Sequence, residues 1–222
     1  SASRSAGIGD IAVSEIHYRP IGSQTETELA AGLKRKDFEF VELINVSSEA
    51  IDLSSIAFTN GIRFTFPEGS FAAPGEHVVI ASNIIAFQER YGFAPAGEYD
   101  GNLSNDGDRL TLLDAADAVI HDFIYNDRFP WPESPDGDGF SLALISPQRK
   151  PLPDHAEPRN WRPSVAPGGS PGISDEIPFT GEPHADSNQN GIADLLDHAL
   201  GNRGTSPSYS PRVEIVSLDA GD

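Results

Sequence analysis

An all-β sandwich with one short inserted helix is the fold this sequence predicts, and three observations predict it. Short runs of β-formers recur between Gly, Pro and Asp turns along most of the chain. Glycine (21) and proline (18) are abundant, which suits many turns and short strands better than long helices. The period becomes helical at one place in this region: Ser82 or Asn83 can cap a segment in which Ile84, Phe87 and Tyr91 share a face, with Gly92 as terminator.

The elements follow in order. Residues 1–9 are small and polar and read as a disordered leader. Residues 11–18 alternate as a strand, with Ile11, Val13, Glu15 and His17 on one face and Ala12, Ser14, Ile16 and Tyr18 on the other. Residues 21–37 have no clear period and read as a long surface loop; the basic run Lys34, Arg35, Lys36 is a solvated turn. Residues 38–45 form the central strand, apolar on both faces, with Glu39 on one and Glu42 on the other. Further strands are expected at 50–54, 62–66 and 77–81. A hairpin joins 109–113 to 118–125, and a last convincing strand lies at 140–145.

Composition narrows the function. Thirty-four acids against fifteen Lys and Arg give a net charge of −19, which argues against nucleic acid or an anionic membrane as the main partner. With no cysteine, disulfides and thiolate chemistry are excluded. No apolar run approaches the ~20 residues that span a bilayer. The chain also lacks a signal peptide and any methionine, so it is expected to be an excised piece of a longer protein.

Several short motifs, in order, carry a resemblance. Residues 11–20 (IAVSEIHYRP), 39–45 (EFVELIN), 51–54 (IDLS), 64–67, 73–75, 103–108 (LSNDGD), 136–142 (DGDGFSL), Asn160-Trp161 and 169–172 resemble the lamin tail domain in its bacterial form, over about residues 9–172. The resemblance implies an immunoglobulin-like β-sandwich used as a module of large secreted or surface proteins, often beside enzymatic domains. Two departures are visible: Ile56 stands where a tryptophan usually follows the Asp-Leu-Ser motif, and the loop at 21–37 is long.

A second signal lies beyond the sandwich. Residues 186–197 place oxygen side chains at loop positions 1, 3, 5, 9 and 12 (Asp186, Asn188, Asn190, Asp194, Asp197), with Gly191 at position 6 and the Ile192 carbonyl at 7. A calcium ion wants about 6–8 oxygens at about 2.3–2.6 Å, and the glycine lets the chain wrap around it. Ile192, Leu195, Leu196, Ala199 and Leu200 then form a helical stripe ended by Gly201. Pro183 precludes a preceding helix, so the segment resembles the loop-helix of dockerins and thrombospondin type-3 modules. One copy, where dockerins carry two, weakens the idea of cohesin binding. The expected cofactor is calcium, held for stiffness rather than catalysis.

The strand acids have two readings. Glu15, His17, Glu39 and Glu42 lie on neighbouring strands if the first two pair, and could form a metal or acid/base cluster. Alternatively the carboxylates accept hydrogen bonds from loop amides or pair with Arg63 or Arg109; this structural reading is favoured, because a buried charge demands partners. The six histidines show no paired metal spacing, and no serine sits in a nucleophile elbow. Asp136 to Gly139 reads as a turn before a second cation site. Trp131, Tyr125 and Trp161 could stack sugars, but packing positions are favoured.

The organisation expected is a leader at 1–9, a sandwich at 10–173, a linker at 174–185, the calcium loop-helix at 186–204, and a linker with the start of another β domain at 205–222. The function expected is a non-enzymatic interaction or scaffold module of a secreted, surface or periplasmic bacterial protein. Its partners would be an unidentified protein or polysaccharide and the neighbouring domains of its own chain. The alternatives are a carbohydrate- or polymer-binding module attached to a hydrolase, and a metal-dependent enzyme using Glu15, His17 and Glu42.

Overall fold

A computed structural model of the chain describes residues 4–175, together with residues 182, 184–186 and 193. The chain divides into two compact units, Ser1–Ile177 and Pro178–Asp222, and the fold described belongs to the first. The loop-helix expected at 186–204 lies outside the described residues apart from Asp186 and Ala193, and so does the strand-like stretch at 213–218.

The elements run β1 (Arg4–Ser5), β2 (Ile11–His17), α1 (Glu26–Ala30), a 3-10 helix (Arg35–Phe38), β3 (Phe40–Asn45), β4 (Ile51–Asp52), β5 (Ala57–Asn60), β6 (Ile62–Thr65) and β7 (Phe71–Ala72). They continue with β8 (His77–Ala81), α2 (Ile84–Tyr91), β9 (Gly97–Glu98), β10 (Asp100–Gly101), β11 (Asp108–Leu113), β12 (Val119–Tyr125), β13 (Leu142–Leu144), a 3-10 helix (Pro158–Asn160) and β14 (Trp161–Pro163). Five of these strands are two-residue bridges too short to show any period (β1, β4, β7, β9, β10).

Two sheets enclose the core. One has the order β14-β13-β2-β3-β8-β9, the other β10-β6-β5-β11-β12, and a small third sheet, β1-β4-β7, stands beside them. β2 and β3 pair, and do so antiparallel, and β11 and β12 form the expected hairpin. The main core takes Val13, Ile16, Val41 and Leu43 from the first large sheet and Phe58, Leu110, Leu112 and Phe123 from the second. Burying each such side chain contributes about 1.5–3 kcal/mol.

β3 is apolar on both faces for a visible reason. Val41 and Leu43 enter the main core, while Phe40 joins Val79, Ala81 and Phe87 in a second cluster against α2. α2 is the expected helix: Asn83 caps its start by accepting from the Ala86 amide, and Gly92 closes it at φ +79°.

Four expectations change. The alternation of β2 is broken by a bulge, since Val13 faces Leu43 but Glu15 already faces Glu42. Ile11, Val13, Ile16 and Tyr18 therefore all reach the main core, and Ser14 and Glu15 both meet Glu42. Residues 21–37 are no plain loop: Thr25 and Glu28 form a capping box that starts α1. The leader is tied down in part. Arg4 and Ser5 pair with Ile51 and Asp52, Arg4 grips the Asp10 carboxylate with both guanidinium nitrogens, and Ala6 is buried. Finally, β5 was not anticipated; it forms a hairpin with β6 across Gly61.

Candidate functional site

The bulge in β2 and the register of β3 bring the sequence-predicted acids together beneath the closing segment at 168–172. Glu15 and Glu42 are direct cross-strand partners, and both are 1% exposed. Glu15 Oε1 accepts from the Ser141 hydroxyl at 2.5 Å and the Ser170 amide at 2.9 Å. Glu42 Oε1 accepts from Ser14 Oγ and from His77 Nδ1, each at 2.7 Å, and its Oε2 accepts from the Gly172 amide at 2.6 Å.

Ser170 Oγ lies 3.1 Å from Glu15 Oε2 and 2.9 Å from Asp175 Oδ1, yet it has a single hydrogen. Assigning a proton to Glu15 Oε2 makes both contacts hydrogen bonds, with Ser170 Oγ accepting from Glu15 and donating to Asp175. Burial, and next the Glu42 charge, push the Glu15 carboxyl well above its ordinary range, in the direction this assignment requires.

His17 and Glu39 belong to different surroundings. His17 is fully buried edge-on to Phe40; its Nε2 donates to the Gly139 carbonyl at 3.2 Å, and its Nδ1 has no partner among the described residues. Burial pushes its imidazole down to about 3, so the ring is neutral. Glu39 lies elsewhere, accepting from the Leu103 amide at 2.8 Å, and burial pushes it up to about 8. Neither arginine foreseen as a partner serves these acids: Arg109 pairs with Asp122 on the neighbouring strand, and Arg63 is exposed on β6.

The remaining candidates resolve into packing. Trp131, Tyr125 and Trp161 are all buried in the main core, so they offer no sugar-stacking face. Asp136 pairs with Arg19 and its amide bonds the Glu133 carbonyl, as a turn requires. Among the described residues no group of three or more His, Asp or Glu side chains could hold a metal ion. The calcium ligands Asn188, Asn190, Ile192, Asp194 and Asp197 lie outside the described residues; Asp186 is exposed.

One feature on the other flank escaped sequence reasoning. His121 Nε2 donates to the Ile11 carbonyl at 2.7 Å, and His155 Nε2 accepts from the Val13 amide at 3.1 Å. Two histidines in contact, ring centroids 4.2 Å apart and planes tilted by 47°, thus occupy the edge of β2 where β13 no longer pairs. Burial lowers both, His155 to about 3 with His121 adding to the effect. Beside them lies a groove of about 470 Å³ lined by residues 120–123 of β12, residues 150–155, Ile8 and Gly9. No spacing in the sequence links residues 34 positions apart.

The family model of the lamin tail domain matches residues 4–127, more than half of the chain and all of β1 to β12. The chain belongs to the lamin tail domain family. Its sandwich is therefore immunoglobulin-like, and the departure at Ile56 is a core substitution, since Ile56 is 1% exposed in the main cluster. The resembling motifs beyond residue 127 fall outside the matched stretch. There, β13 and β14 still complete the six-stranded sheet of this lamin tail domain. No curated protein matches the chain. Among the described residues no helix is long and apolar enough to cross a membrane.

Proposed function

We propose that this lamin tail domain is a non-catalytic interaction module of a larger secreted or surface bacterial protein. The observation that carries the reading is the closure of its most chemical cluster. Glu15 and Glu42 accept from Ser14, Ser141, Ser170, His77 and Gly172 of their own chain, and at 1% exposure neither presents an oxygen to a substrate. A general acid or base must come within hydrogen-bond reach of a reacting group, and side chains 1% exposed beneath a bonded segment do not. The family supports the same reading, as an immunoglobulin-like module is suited to binding. The buried tryptophans weigh against the polysaccharide-stacking alternative.

The connector in this proposal is stiffened by calcium at Asp186, Asn188, Asn190, Asp194 and Asp197, with the Ile192 carbonyl completing the loop. Three carboxylates among these ligands suit the weaker affinity of extracellular sites. Calorimetry with calcium on the chain and on Asp186→Ala checks it, and equal heats from both would sink the connector. For the module, deletion of residues 10–173 from the parent protein is expected to leave kcat on a small soluble substrate unchanged while abolishing retention at its site of attachment. A collapse of kcat with retention intact would reverse the assignment.

A further inference from the structure

β12 ends its sheet, and among the described residues no strand or loop backbone bonds to its outer edge. Sheet edges left open are usually blunted by Lys, Pro or inward charges, because unpaired N–H and C=O groups recruit other chains. β12 reads Val-Ile-His-Asp-Phe-Ile-Tyr, with neither Lys nor Pro. Its one charge, Asp122, is engaged by Arg109 and Thr111. Its protection is a single bulge at the start of the strand. Three of the molecule's exposed large apolar side chains lie on or beside it: Val119 (48%) and Ile124 (56%) on the strand and Ile8 (79%) on the adjoining groove.

A groove adjoins this strand, lined by residues 120–123, by residues 150–155 and by Ile8 and Gly9. His155 packs on His121 and Phe123 at its floor, so residues 150–155 support β12 from within and leave its outer edge to an incoming extended chain. A second copy of this protein is a poor occupant. Symmetric antiparallel pairing about the middle of Val119–Tyr125 would set Asp122 opposite Asp122, between two molecules that each carry −19. Of the cations nearby, Arg109 is paired with Asp122 and Arg128 lies beside Asp127, while Lys150 donates to the Gly9 carbonyl and Arg149 is exposed. Asp117 and Asp154, both exposed, have no cation partner among the described residues. We infer that β12 is a docking edge for an extended segment of a partner protein, with alternating apolar side chains and flanking Lys or Arg, added to the sheet as a further strand. This inference rests on the interaction-module reading and names its surface.

The test uses the full chain and a blocked probe peptide, Lys-Val-Thr-Val-Thr-Val-Lys, followed by amide NMR. Shifts and slowed hydrogen exchange are expected on Val119–Tyr125, with binding weakened by about tenfold or more when the flanking Lys are replaced by Glu. Ile124→Lys, at an exposed position, is expected to weaken binding similarly without changing thermal unfolding. N-methylation of alternate peptide amides removes binding with no change to the protein, and so guards against a variant that fails to fold. Four results would overturn the inference. They are no response on β12, equal binding of both peptides, outer amides already protected in the free chain, and a self-association abolished by Ile124→Lys. If the peptide fails while deletion of the module still abolishes retention of the parent protein, the docking edge falls and the interaction module stands.

Discussion

Glu15 and Glu42 face one another across paired strands, both buried, and each is held by the backbone of the same closing segment, through Ser170 and Gly172 respectively. Two carboxylates so placed cannot both be charged cheaply. The protonated Glu15 and the donors around Glu42 turn that liability into a latch between β2, β3 and residues 168–172.

That latch sets a pH dependence. Glu15 and Glu39 hold protons in the folded state that the unfolded chain releases above the ordinary value of 4.5. Their contribution is fully present below 4.5 and is lost as pH rises through about 8. His17 and His155 act oppositely. Their contribution is present above the ordinary imidazole value of 6.5 and is lost as pH falls towards about 3. Stability should therefore be greatest in the window between and fall from neutral pH towards 8. Glu15→Gln keeps an oxygen for Ser141 and the Ser170 amide and donates to Ser170 Oγ. Its stability relative to wild type should grow with pH in that window, by up to about 1.4 kcal/mol per pH unit. Denaturant unfolding at several pH values reads this directly; a difference independent of pH would remove the proton from Glu15.

Arg90 makes a different kind of lock. Its guanidinium takes both Glu28 oxygens at 3.0 Å, donates to the carbonyls of Ile21 and Gly22, and lies 3.2 Å over the Phe38 ring. Burial raises the Glu28 carboxyl, but bonds from Arg90 and from the Gln24 and Thr25 amides outweigh it and hold the carboxyl below its ordinary range. Arg90→Met strands a buried carboxylate and should cost about 3–5 kcal/mol. Adding Glu28→Gln should recover a substantial part of that. Lysine is no substitute, because it cannot form the planar fork. A double-mutant cycle in denaturant measures the coupling, and additive losses would mean that the pair does not act as a unit.

These two devices mark what was legible in the sequence. Two acids inside apolar strands already said that something must satisfy them, while the pairing of their strands across a long loop stayed a condition of that reading. The bulge at Ser14 has no sequence signature, so Glu15 was placed on a face with Ile11 and Val13 that it does not share. Ser170 and Gly172 lie 155 and 130 positions from the carboxylates they bind, beyond any local pattern. The capping box of Thr25 and Glu28 was in plain view, but the helix it starts has five residues, too few to show a period. Nothing local in the sequence links Arg90 to Glu28, 62 positions away.

His155 offers a test of the edge of β2. Its Nε2 must stay unprotonated to accept the Val13 amide, which agrees with an imidazole pushed down to about 3 by burial and by His121. His155→Phe fills similar space but leaves that N–H without an acceptor, at a cost of about 1–3 kcal/mol. Amide exchange at Val13 should accelerate more than at Val41 in the sheet centre. Uniform acceleration would instead point to general loosening of the core.

Gly169 closes the latch through the space it leaves empty. An added Cβ there would meet Glu15 Oε1, with Phe40 Cζ at 3.0 Å and Ser141 Oγ at 3.1 Å, and its φ is +77°. The neighbouring Gly168 also has positive φ, +98°, but a Cβ there meets nothing within 4 Å. The two positions thus share the backbone cost and differ in packing. Gly168→Ala should lose about 1–3 kcal/mol from conformation alone, and Gly169→Ala about 1–3 kcal/mol more, because none of the three neighbours it meets can retreat freely. Gly169→Ala should also flatten the pH dependence above neutrality. Once residues 168–172 lift away, water reaches Glu15 and its carboxyl returns towards ordinary values. Equal losses at the two glycines, with an unchanged pH profile, would mean that the closing segment does not hold Glu15 at all.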